Sequence, residues 1–120
     1  MEAKELGLHV MRGMVIDYDV VGRALDEALD RGAAAVRRDP KCYEAALTEA
    51  AAFLNAAPDL CETDRIAMLL AIVDRLAAAA LAGAIDAGHG RVLADAIEAG
   101  RFDPYLQPES RSALLAAAVA

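Results

Sequence analysis

Between Ile66 and Ile85 the chain runs for twenty residues with only two charges, Asp74 and Arg75, and its large apolar side chains fall on helical spacing. Ile66, Leu69, Leu70, Val73, Leu76, Ala77, Ala80, Leu81, Ala84 and Ile85 succeed one another at the intervals of a single apolar stripe. Such a stretch has to be covered, and it predicts a central core helix over residues 62–87. The other side carries Ala67, Ala71, Ala78, Ala82 and Gly83, small enough for a second backbone to approach closely. The helix is therefore expected to be packed on two sides.

A membrane span is excluded on magnitudes. The Leu, Ile and Val residues of the stretch gain about 0.3–0.6 kcal/mol each in a bilayer, whereas Asp74 and Arg75 near its centre cost about 2.5–3.5 kcal/mol each and alanine adds almost nothing. The expected setting is the core of a soluble protein. No basic start followed by an apolar run opens the chain, which reads as cytoplasmic.

Alanine supplies 30 of the 120 residues and aromatic residues only five, Tyr18, Tyr43, Phe53, Phe102 and Tyr105. Burying alanine releases little apolar area, so stability has to come from Leu, Ile, Val and Met on closely approaching helices. Alanine is also the strongest helix former. The reading is one all-α domain over residues 1–120, a compact bundle of about five helices around the central one.

Helix punctuation marks the others. Asp17 or Asp19 can cap a helix that continues past Gly32 to about Arg38, with Val20, Val21, Ala24, Leu25, Ala28 and Leu29 inward. Asp39 and Pro40 form an N-cap with proline at the first helical position, opening a helix to about Ala56 with Tyr43, Leu47, Ala50 and Leu54 on one face, closed by Pro58. Asp59 and Glu62 have capping-box spacing for the central helix, and Gly88 stops it. A short helix spans Arg91–Ala99 with Val92, Leu93, Ala96 and Ile97 inward. A last one spans Pro108–Val119, with Leu114, Leu115, Ala118 and Val119 as its apolar side.

Residues 5–16 fit two readings. Leu6, Leu8, Val10, Met14 and Ile16 alternate as in a strand, while Leu6, Val10, Gly13 and Met14 make a helical stripe. Helix is favoured, because a single strand would need another chain to complete its ladder.

LAGAIDAG at Leu81–Gly88 and LADAIEAG at Leu93–Gly100 echo each other, read as two similar helix endings and not as a repeat fold. The residues Leu93–Pro108, LADAIEAGRFDPYLQP, resemble the opening of EAL-type cyclic-di-nucleotide phosphodiesterase domains, where a helix and a Gly-Arg/Glu-Phe turn lead into a strand ending in Gln-Pro. The Glu-Ala-Leu motif and the metal-binding carboxylates of that family's barrel have no counterpart, so its activity is not carried over.

The formal net charge of −7, with basic residues scattered among acids, argues against nucleic acid as a partner. A helix-turn-helix around Gly88–Arg91 is disfavoured as well, since Asp95 and Glu98 stand where a groove-reading helix wants Arg, Lys, Asn or Gln. Arg37, Arg38 and Lys41 fit a solvated helix end. Cys42 and Cys61 flank a helix too long for them to bridge and read as free thiols. Cys61, in the first turn of the central helix, has Glu62 and Asp64 beside it and no implied base, so it is not assigned as a nucleophile. His9 and His89 lack any Glu-x-x-His or His-x-x-x-His spacing, and Gly88-His89-Gly90-Arg91 reads as a connector before it reads as an anion site. Asp74 and Arg75 are expected side by side on a narrow solvent strip.

No catalytic, cofactor-binding or metal-binding residue is assigned, and no cofactor is implied. The expectation is a helical interaction or regulatory module, not an enzyme, that binds a second copy of itself or another protein. The apolar tail, through Leu114, Leu115 and Val119, is the expected partner-binding surface, in a homodimer interface of about 1,200 Å² or more. The alternatives are a small-ligand-binding or metal-dependent helical enzyme using the histidines and nearby carboxylates, and an acidic inhibitor of a basic partner.

Overall fold

A computed structural model describes residues 8–11, 14–57 and 60–120. It is an all-α bundle of five helices, α1 Tyr18–Arg38, α2 Tyr43–Asn55, α3 Glu62–Asp86, α4 Gly90–Glu98 and α5 Pro108–Val119. The expected boundaries hold to within a few residues. Asp39 caps a short 3-10 turn, Pro40–Cys42, by accepting the Lys41 N–H at 3.0 Å, and α2 continues from that turn. The expected Pro58 stop lies outside the described residues, as does Asp59, but the expected Asp59–Glu62 capping box does not fit the start of α3, where Cys61 is the N-cap without a side-chain hydrogen bond and Glu62 is the first helical residue, not the third.

The N-terminal segment is not the favoured helix. Leu8–Met11 and Met14–Asp17 are strands β1 and β2, paired antiparallel with Val10 opposite Val15 and Met11 opposite Met14. The ladder is completed inside the chain, by β1 against β2, and needs no second copy. Reading the segment as one strand hid this solution. β2 runs straight into α1.

α3 is the spine. Arg75 pairs with Asp30 and, further along, Arg37 pairs with Asp86, so α1 and α3 run in the same direction. Arg31 with Glu49, at 3.0 Å, sets α2 against α1 in the opposite sense. These three helices enclose one cluster, with Leu25, Leu29, Val36, Ala50, Leu54, Ile72 and Leu76 buried. A second cluster, built on Leu93, Ile97, Leu106 and Leu114, joins α4, α5 and the second half of α3 through Ala77, Leu81, Ala84 and Ile85. Of the expected α4 face, Val92 is instead 71% exposed and Ala94 takes an inward position.

Both LAG/LAD echoes are helix stops of the same kind. Gly88 and Gly100 have φ of 93° and 80°, the left-handed region that glycine enters without a Cβ penalty. The N–H groups of His89 and Arg101 return to the carbonyls of Ala84 and Ala96, and those of Gly88 and Gly100 to Ile85 and Ile97, which is the Schellman pattern twice.

Candidate interaction surface and aromatic groove

The central stripe is buried along only part of its length. Leu76 is fully buried and Ile72, which the expected stripe left out, nearly so, but within the stripe Ile66 is 50%, Leu69 39% and Leu70 51% exposed, and Met68 outside it is 37% exposed. Ala67 and Ala71 are exposed too, so the expected two-sided covering fails before Ile72. The cause is the reach of the neighbours. Ile66, Leu70, Ala77, Leu81 and Ala84 lie on one face at helical spacing. Its second half lies under α4 and α5, and α5 begins at the level of Asp74. Beyond that level the same face is exposed at Ile66 and Leu70 and meets no helix among the described residues. By length and composition α3 could cross a membrane, yet both central charges are engaged by neighbouring helices.

Asp74 and Arg75 do not share a solvent strip. Arg75 is drawn to Asp30 on α1. Asp74 is half-buried and accepts the Gln107 N–H at 2.7 Å and the Ser110 hydroxyl at 2.9 Å, closing the N-terminus of α5 from another helix. No side chain local to α5 caps that end. Two arginines do the converse for carbonyl ends. Arg65 donates to the carbonyls of Leu54 in the last turn of α2 and of Ala57 and Leu60 in the connection that follows, and Arg111 donates to Ile97 near the end of α4 at 3.2 Å while lying 3.4 Å from Asp103. These tertiary caps complete backbone hydrogen bonding and place the charges in the scaffold. Sequence offered no signal for them, since each partner lies several residues to three dozen residues away.

The tail is largely committed to its own chain. Leu114 is buried in the second cluster and Leu115 packs against it, leaving Val119 at 71% exposure. The Gly88–Arg91 turn is a tight structural junction. A Cβ at Gly90 would stand 2.7 Å from the Ala118 carbonyl oxygen, so the end of α5 rests on it. His89 is exposed, and the side chain of His9 lies outside the described residues. Among the described residues no group of three His, Cys, Asp or Glu side chains converges as a metal site would require. Cys42 is half-buried, Cys61 exposed, and both are free.

A second feature escaped the sequence reading. A groove of about 290 Å³ lies between the two helical clusters, lined by Tyr43, Ala77, Ala80, Leu81, Phe102 and Tyr105. α3 gives the floor, the start of α2 one wall, and the turn between α4 and α5 the other. Three of the five aromatic residues gather here from distant parts of the chain. Burial pushes the Tyr43 phenol above its ordinary pKa, and the nearby Tyr105 phenol adds to the rise by opposing a second negative charge. The segment that resembles the EAL-type opening forms this wall as turns at Arg101–Tyr105, in place of a strand.

No protein-family model, curated protein or solved structure matches this chain.

Proposed function

We propose that the chain is a small helical interaction module that self-associates through the first half of α3. The observation that supports this is the change of state along one helix face, covered from Ala77 onward by α4 and α5 and open at Ile66 and Leu70. A large apolar side chain left half in water forgoes about 1 kcal/mol of burial, and Ile66, Leu69 and Leu70, neighbours at i, i+3 and i+4, make a contiguous patch of the kind that marks a contact surface. The hairpin lies at the same end, since it leads into α1 and α1 runs alongside α3 in the same direction. Two-stranded ribbons are marginal alone, which gives this end of the molecule a second element to complete by association. Val119 is open as well, but at the other end of α3, where the end of α5 rests on Gly90.

Charge sets the character of the contact. Each copy carries a formal −7, so two copies repel at long range and meet through apolar surface. Salt screens that repulsion. Self-association should therefore strengthen as salt rises, opposite to the behaviour of an acidic inhibitor on a basic partner. The test is thermal unfolding over a hundredfold range of protein concentration at low and high salt. A melting temperature that rises with concentration, more steeply at high salt, supports the proposal, and one independent of concentration in both conditions refutes it.

A further inference from the structure

We propose that the groove between the two helical clusters binds a flat, uncharged aromatic molecule of one or two fused rings. Its chemistry selects that class. None of the six lining side chains is charged, so a charged ligand would surrender its hydration without compensation. The polar side-chain groups available are the phenolic hydroxyls of Tyr43 and Tyr105, which suit a ligand carrying one hydroxyl or carbonyl group. Aromatic walls favour a ring that can stack or meet them edge to face. The volume of about 290 Å³ stands at the small end of ligand sites, fitting one or two rings and excluding larger frameworks.

The site is built before any ligand arrives. Phe102 accepts the N–H groups of Tyr105 and Leu106 through its carbonyl, at 2.9 and 3.1 Å, and Leu106 is buried, so the turn that carries the aromatic wall is anchored. The floor is open because Ala77 and Ala80 end at Cβ. Tyr105 is left 51% exposed, an unfavourable state for a large ring that a ligand stacked against it would relieve.

The experiment is a fluorescence titration with 2-naphthol as the probe, read without interference because the chain has no tryptophan. Three variants accompany the wild type, each checked by circular dichroism. Ala80→Leu fills the floor, Tyr105→Ala removes a wall at an exposed position, and Leu70→Ser alters the open face of α3. The expected result is saturable binding that Ala80→Leu and Tyr105→Ala each weaken about tenfold or more, with Leu70→Ser unchanged. If Ala80→Leu fails to fold, Tyr105→Ala decides. A titration that does not saturate by about 1 mM, or one that Tyr105→Ala leaves within about twofold of wild type, overturns the proposal. So does loss of binding in Leu70→Ser alone, which would mark adsorption to the exposed helix.

Discussion

The carboxylate of Asp74, in the middle of α3, accepts the backbone N–H of Gln107 at 2.7 Å and so serves as the N-cap of a different helix. Its second oxygen takes the Ser110 hydroxyl at 2.9 Å. The negative charge sits where the dipole of α5 is positive. Asp74→Ala removes both acceptors and leaves the Gln107 N–H without its partner, so a loss of about 1–3 kcal/mol in urea unfolding is expected. Ser110→Ala should cost less, because the Gln107 bond survives it.

The two halves of the central stripe should respond differently to the same substitution. Leu76 is fully buried among α1, α2 and α3, and Leu76→Ala is expected to destabilise by about 2–5 kcal/mol. Leu70 is half in water, and Leu70→Ala in the dilute monomer should cost about 1 kcal/mol or less. Equal losses at the two positions would contradict the uneven covering of α3.

Periodicity located this helix and its buried residue Leu76, and the helix boundaries were legible because Asp39-Pro40, Gly88, Gly100 and Pro108 act within a few residues of themselves. Which turns of a stripe are covered depends on where other helices end. The stop of cover near Asp74 is set by the start of α5, whose Gln107 N–H Asp74 accepts from 33 residues away, and no pattern local to Ile66–Leu70 records it. The groove was hidden for the same reason, as Tyr43 and Tyr105 meet only after α3 brings their segments together. The hairpin was ambiguous because Leu8, Val10, Met14 and Ile16 satisfy a strand pattern while Val10, Gly13 and Met14 satisfy a helical one.

Gly83 and Gly22 offer a paired test of close approach. A Cβ on Gly83 would run into the carbonyl oxygen and backbone of Arg37, where the end of α1 crosses α3, and Gly83→Ala should cost about 1–3 kcal/mol or more. Nothing lies within 4 Å of a Cβ on Gly22, also in a helix, and Gly22→Ala should be stabilising by up to about 1 kcal/mol. Denaturant midpoints of the two variants check both signs.

Stability should fall at high pH through Tyr43. Its folded-state pKa is raised, first by burial and then by Tyr105, so the unfolded chain loses the phenolic proton earlier than the folded one. The contribution is complete below the ordinary tyrosine value of about 10 and disappears as pH climbs from there through the raised folded value. Tyr43→Phe should therefore flatten the decline in unfolding free energy between about pH 9 and 11. A slope identical to wild type would show that Tyr43 is free to ionise in the fold.

The central claim is that the open face of α3 is where two copies meet, and sedimentation equilibrium of the wild type beside the Ile66→Ser, Leu70→Ser double variant tests it most directly. Both positions are half exposed, so the double variant should keep its helical spectrum. The account predicts a wild-type mass that rises from monomer toward dimer across the micromolar range, and a variant that remains monomeric throughout. A wild type that stays monomeric, or a variant that dimerises as tightly as the wild type, would contradict it.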